Sequence, residues 1–314
     1  MNRQTQDGYM KLAIYFLKRR LKGKKLENTL LNIQQALIDC AHEYRPGYWR
    51  RLRCALAYSF NRTGNPKIAD SIKATINPIT AANAKSGVKA LKKPKQKRQH
   101  QVLKKYDNDI RHYLLKKGNS NARCVLAALN IVNIIGCRPI EIMTLKADWN
   151  NSTIIITGAK KTTNGLRGLD RAIHLSDKDF AVVVMAYSQL ESYRQRQKLT
   201  KIQLQSRIQH GLARATAALW PHRKHRITLY SYRHQFASDL KGSDKSREEI
   251  AAIMGHQSVD SANTYGDRRY GGRKIDIKAT TSSIASVRKT VPKNRGYIKT
   301  PRSPFHGLIN PVRP

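Results

Sequence analysis

Four residues of the sequence, taken in order, have the types needed to hold and attack a phosphate ester: Arg138, Arg233, His256 and Tyr265. A guanidinium offers planar, paired donors and stays charged at any working pH. Two of them, fixed in place, would stabilise the charge that gathers on the non-bridging oxygens as a phosphodiester becomes five-coordinate. A tyrosine hydroxyl, with an ordinary pKa of ~10, becomes a usable nucleophile beside such cations. Taken singly, each residue has an ordinary reading. Arg138 precedes Pro139, which pushes it out of the helical region and makes it an arginine at a turn. His256 reads as a structural histidine, and Tyr265 is one of 14 tyrosines. The order and spacing give them weight: 95 residues separate 138 from 233, 23 separate 233 from 256, and 9 separate 256 from 265.

The segments around these residues read IIGCRPIE (134–141), YSYRH (230–234) and MGH (254–256), with Tyr265 following. Together they resemble the catalytic domain of the tyrosine recombinases, the phage integrase family, over roughly residues 105–275. The family pattern is an Arg in TGxRpxE, then HxxRH, then LGH, then a Tyr nine positions after that His. The resemblance implies that Tyr265 attacks a DNA phosphate, forms a 3′-phosphotyrosyl link and frees a 5′-hydroxyl. Arg138 and Arg233 would clamp the phosphate, His256 would hydrogen-bond it or the developing 5′ side, and His234 would brace the site. Glu141 reads as the carboxylate that orients the first arginine, or else as a helix-surface acid. The covalent link stores the phosphodiester energy, so neither a cofactor nor a metal is expected. The sequence has no GxxxxGK[ST] loop and no cluster of acids to hold a metal.

In the family the leaving oxygen is protonated by a lysine on a β-hairpin between the two arginines. The corresponding stretch here is Gly158-Ala159-Lys160-Lys161-Thr162-Thr163-Asn164-Gly165, where Asn164-Gly165 is a turn signal. Lys161, followed by Thr, is the candidate acid and Lys160 its rival; alternation along a strand lets only one of them face DNA. One position departs from the family: Tyr230 stands where the first histidine of HxxR is usual. Tyrosine is a poor base at neutral pH, so Tyr230 can hydrogen-bond a phosphate without serving as a dedicated proton acceptor, and Tyr230 or Tyr232 could supply a second hydroxyl there. Tyr270, 14 positions after His256, fits the spacing of the nucleophile poorly.

The elements that must position this set read as mainly α with a small antiparallel sheet, an α+β chain. Residues 8–75 read as helical, with Leu26, Leu30, Ile33, Leu37 and Cys40 near a 3.6-residue period. Pro46-Gly47 opens a third helix over Tyr48–Phe60, and a fourth follows the break at Gly64-Asn65-Pro66. Ile110–Leu115, Val125–Ile135 and the stretch from Asp179 through Trp220 read as helices; Asn151–Thr157 and Arg171–Leu175 read as paired strands. The domains expected are a helical core-binding domain over 1–84, a basic linker over 85–105, a catalytic domain over 106–287 and a basic, Pro-rich tail over 288–314. The linker holds nine Lys/Arg and no acid, and the tail seven Lys/Arg and five Pro. The linker reads either as a solvated charge run or as a strap along phosphates.

Charge narrows the partner. The 314 residues carry 60 Lys+Arg against 20 Asp+Glu, a formal net charge of +40. Such an excess points to a polyanion, whose condensed counterions are released on binding. No run of about 18 apolar residues exists to cross a membrane, and the first residues lack the pattern of a secretory leader. Cys40, Cys54, Cys124 and Cys137 show no CxxC spacing and read as reduced. The expectation is a cytoplasmic, nucleoid-associated protein or one delivered by a phage or mobile element. It would act as a homo-tetramer on two sites of double-stranded DNA, exchanging strands through a Holliday junction, with accessory DNA-bending or directionality proteins. A related type IB topoisomerase or telomere resolvase would share the site chemistry. A non-catalytic basic DNA-binding protein would share only the charge.

Overall fold

The computed structural model describes residues 3–81, 101–159, 170–262 and 265–288. Lys160, Lys161, most of the basic linker and the tail after Arg288 lie outside the described residues. The chain divides into two compact units, Met1–Lys97 and Arg98–Pro314.

The first unit is helical: α1 (Arg3–Arg20), α2 (Leu30–Asp39), α3 (Pro46–Arg62) and α4 (Pro66–Ala74). Proline opens both α3 and α4, at positions where its missing N–H would have no intrahelical partner anyway. The apolar period of α2 buries Ile33 and Leu37, which join Phe16, Trp49, Leu56 and Ile72 in the core. Trp49 is buried with its polar end satisfied, because its indole N–H donates to the Leu37 carbonyl at 2.7 Å.

The second unit is built around one helix. In chain order it holds α5 (Lys104–Lys117), α6 (Ser120–Ile135), β1 (Leu145–Asp148), β2 (Thr153–Ile156), β3 (Arg171–His174), α7 (Asp177–Arg196), α8 (Lys201–Leu219), α9 (Leu229–Gly242), α10 (Arg247–Ile253), α11 (Val259–Ala262), β4 (Lys278–Ala279) and α12 (Thr281–Ala285). Helix α6 is apolar nearly all round, so it must be central; Val125, Ala128, Leu129, Ile131, Val132 and Ile135 are all buried. It packs against α5, α7, α8 and α9. Asn119 caps its start by accepting the Ala122 N–H, and Gly136 ends it at φ +58°.

The architecture is mainly α with a small antiparallel sheet of order β1-β2-β3-β4, as expected. The stretch from Asp179 to Trp220, read as helices, holds two, α7 and α8. The chain breaks after α7, with Lys198 at φ +48°, and α8 restarts on a capping box of Thr200 and Gln203. The register pairs Ile154 with Ile173 and Ile156 with Arg171. Arg171 therefore shares the buried face of β3 with Ile173. Among the described residues no helix is long and apolar enough to cross a membrane.

The junction of α6 and α9 is tight at one atom. A Cβ on residue 136 would lie 1.9 Å from Cδ1 of Phe236, at a backbone angle that disfavours side chains. Gly136→Ala is expected to lower unfolding free energy by about 2–4 kcal/mol. The reading is a lower denaturant midpoint at unchanged slope; an unchanged midpoint would contradict the packing described.

Candidate active site

The site is assembled at the end of α10. Three successive carbonyls there accept hydrogen bonds from three different arginines. Nε of Arg171 donates to the Ile253 oxygen at 2.8 Å, Nη2 of Arg233 to that of Met254 at 2.6 Å, and Nη2 of Arg138 to that of Gly255 at 3.2 Å. Helix ends leave such carbonyls without intrahelical partners and carry partial negative charge, so guanidiniums suit them.

Each arginine arrives from a different element. Arg138 follows the left-handed turn at Gly136, and its carbonyl accepts the Glu141 N–H at 2.8 Å. Arg171 projects inward from β3. Arg233 lies in the second turn of α9, whose start is fixed by a capping box between Thr228 and Ser231. Nη1 of Arg233 also donates to the Gly136 carbonyl at 2.6 Å, tying α9 to the end of α6. Glycine at 255, with φ +62°, lets Arg171 pass; a Cβ there would meet its Nη1 at 2.5 Å.

Glu141 is the counter-charge. It is fully buried, and its two oxygens accept from Arg138 Nη1 at 2.6 Å, Arg138 N at 2.8 Å, Arg171 Nη2 at 2.9 Å and, more weakly, Ala159 N at 3.4 Å. Burial pushes its pKa up, but Arg171 and Arg138 outweigh this and hold it at about 2. Arg171 was not singled out as a site residue from the sequence. The signal available was its period-two match with Ile173, which required a buried arginine to find a carboxylate.

One carboxylate does not balance three guanidiniums, and the excess is felt nearby. Burial, then Arg138 and Arg171, push Arg233 down to about 10. Burial, then Arg233 and the other two arginines, push His256 down to about 3. Nη2 of Arg233 lies 3.3 Å from Nε2 of His256. A guanidinium can only donate, so Nε2 is the acceptor and this neutral ring carries its proton on Nδ1. That Nδ1, Nε of Arg233 and Nη1 of Arg171 are all buried without a hydrogen-bond partner among the described residues.

Tyr265 covers this cluster. Its ring lies 5.1 Å from the Arg233 guanidinium, 5.1 Å from the His256 ring and 4.9 Å from the His234 ring. Nδ1 of His234 accepts the Gly266 N–H at 3.4 Å. The structure thus brings together Arg138, Glu141, Arg233, His234, His256 and Tyr265. Tyr230 is half-buried in the first turn of α9. Tyr232 does not supply a second hydroxyl at the cluster: it is buried, and its hydroxyl donates to Asp107 at 2.8 Å. Tyr270 is half exposed, beside Arg269. Lys160 and Lys161 lie outside the described residues. Among the described residues no group of three His, Cys, Asp or Glu side chains could hold a metal ion.

These charges set an acid response. The unfolded chain protonates His256 near pH ~6.5, whereas the folded value is about 3, so its contribution is complete above ~6.5 and erodes as pH falls towards 3. Glu141 adds a second loss, from ~4.5 down through 2. Unfolding free energy is expected to decline from about pH 6.5 downward, and His256→Gln should flatten the upper part of that decline. Glu141→Gln should cost about 3–5 kcal/mol at pH 7, because it strands buried guanidiniums. Chemical denaturation across pH checks both, and a Glu141→Gln protein as stable as wild type would contradict the charge balance described.

No protein-family model and no curated protein matches the chain. Solved structures do. It is similar to a lambda integrase dimer bound to a COC′ core site, at 16% identity over 88% of this chain and 74% of that one, with TM-score 0.52. A lambda integrase tetramer bound to a Holliday junction matches at 16% identity over the same shares, with TM-score 0.50. The Tn1549 transposon integrase in complex with a circular intermediate DNA matches at 12% identity over 91% of this chain and 93% of that one, with TM-score 0.53. The chain has the fold of these integrases.

Proposed function

We propose that the chain is a site-specific DNA recombinase that cuts and rejoins double-stranded DNA through a 3′-phosphotyrosyl link to Tyr265. The observation that carries this reading is a phenol ring lying over a buried cluster with more guanidiniums than carboxylates, where, among the described residues, three donors, Nη1 of Arg171, Nε of Arg233 and Nδ1 of His256, lack partners. A cluster of that kind favours an anion, and a phosphate oxygen can accept from both Nε of Arg233 and Nδ1 of His256. Arg233 is fully buried beneath the ring, so a phosphate reaches it as Tyr265 swings aside.

In the reaction the Tyr265 oxygen attacks phosphorus and the 5′-oxygen leaves. Arg138 and Arg233 bear the charge on the non-bridging oxygens, and Glu141 orients Arg138. His234 braces the phenol. Lys161 is proposed as the acid that protonates the leaving oxygen. With Tyr230 in place of a histidine, the phenolic proton passes to water and Tyr230 contributes a hydrogen bond to the phosphate. The ester formed keeps the energy of the broken bond, so a 5′-hydroxyl reverses the step and rejoins a strand. The likeness in fold to a lambda integrase solved as a tetramer on a Holliday junction supports a homo-tetramer exchanging strands between two sites. The net charge of +40 supports DNA as the partner.

A DNA site nicked close to the cleavage position traps the covalent state by losing a short fragment. Wild type is expected to form a denaturant-stable adduct and Tyr265→Phe none. Arg233→Ala should cut adduct formation by at least ~10² while retaining salt-sensitive DNA binding. An adduct formed by Tyr265→Phe, or none by wild type on its own site, contradicts the reading.

A further inference from the structure

The chain after the nucleophile does not leave the site; it runs along α9, the same helix that carries Arg233. Gln235 donates to the Tyr270 carbonyl at 2.8 Å, Ser238 accepts the Asp267 N–H at 3.0 Å, and Asp239 accepts the Gly272 N–H at 3.2 Å. The approach is backbone to backbone. Gly266 sits at φ +62°, and a Cβ there would lie 2.5 Å from the Ser238 nitrogen and 2.7 Å from the Ala237 carbonyl carbon. Among these contacts one reaches the nucleophile's own peptide. Nζ of Lys241, in the last turn of α9, donates to the Tyr265 carbonyl at 2.5 Å and to the Gly266 carbonyl at 3.0 Å.

Lys241 is half-buried and shares a cavity of about 280 Å³ with Lys245, Arg247 and Arg268. Lys245 is paired with Glu249 at 3.1 Å. Among the described residues, Lys241 donates hydrogen bonds to these two carbonyls, and the Asp267 carboxylate lies near enough to favour its charge. An ammonium held between two successive carbonyls fixes the backbone that bears the phenol, and it fixes it to the helix that bears the phosphate-binding arginine. We propose that Lys241 is a positioning residue for the nucleophile, setting the register of Tyr265 against Arg233 through α9. The proposal rests on the recombinase reading above. It assigns Lys241 no contact with DNA, and misplacing a reacting atom by about 1 Å can slow a reaction ~10²-fold.

The test is single-turnover cleavage of the nicked substrate at saturating protein, for wild type, Lys241→Met and Lys241→Arg. DNA affinity is measured at the same salt. Lys241→Met is expected to slow adduct formation ~10²-fold with affinity within about twofold, and Lys241→Arg to recover much of the rate. A substrate with sulfur as the bridging 5′ atom needs little proton donation to its leaving group. It should leave the Lys241→Met defect in place, whereas a defect in the general acid would be relieved. Amide hydrogen exchange at Gly266 and Asp267 should rise in the DNA-free Lys241→Met protein, a readout that needs no cleavage.

A Lys241→Met protein that cleaves at the wild-type rate overturns the proposal. So does a rate loss matched by an equal loss of affinity, or one relieved by the sulfur substrate. If Lys241→Met fails to fold, Lys241→Ala removes the donor with a smaller side chain, and a Lys241→Ala protein that folds yet cleaves normally with unchanged exchange overturns it too. Absence of any wild-type adduct would count against the recombinase reading, while the exchange result would still report on the clamp.

Discussion

The second unit depends on three arginines that converge on three consecutive carbonyls at the end of α10, with Glu141 between two of them. Buried charge is costly unless paired and fully hydrogen-bonded. Here the pairing draws the end of α6, strand β3 and helix α9 to one point. The carbonyls receive donors, the guanidiniums receive acceptors, and the surplus of positive charge stays inside. Three N–H groups, on Nη1 of Arg171, Nε of Arg233 and Nδ1 of His256, remain without partners among the described residues. The same arrangement that holds the elements together therefore leaves a buried cationic cluster whose chemistry suits an anion.

Electrostatics in that cluster divides the labour. His256 is neutral and carries its proton on Nδ1, which has no acceptor among the described residues, because its other nitrogen faces Arg233 and the surrounding arginines oppose its protonation. It is a fixed hydrogen-bond donor and does not titrate near neutral pH. On the proposed reading, phosphate binding rests on Arg138 and Arg233. The Tyr265 ring is flanked on three sides, by the rings of His234 and His256 and by the guanidinium of Arg233.

Much of this was legible in the residues, for identifiable reasons. The turn at Gly136-Cys137-Arg138-Pro139, the Arg233-His234 pair and Gly255-His256 are local patterns, and the structure brings them together with Tyr265. The helices of both units followed their apolar periods and their Gly and Pro punctuation. Arg171 was harder: a charged residue in a four-residue strand looks exposed until the register sets it opposite Ile156. β1 was missed because only Leu145 of its four residues is buried, and β4 because it is two residues long. Lys241 carried no local signal, since its acceptors lie 24 and 25 residues away in a segment that only tertiary packing brings to α9.

The central claim is that Tyr265, and no other tyrosine, becomes bonded to DNA. The direct measurement is mass spectrometry of the adduct after nuclease trimming and trypsin digestion. Trypsin cuts after Arg226, Arg233, Arg247, Arg268 and Arg269, so Tyr230 and Tyr232, Tyr265 and Tyr270 fall on three separate peptides. The account predicts a nucleotide joined through its 3′-phosphate to the peptide from Glu248 to Arg268, at Tyr265. A nucleotide on the peptide holding Tyr230 and Tyr232, or on the one holding Tyr270, would contradict it.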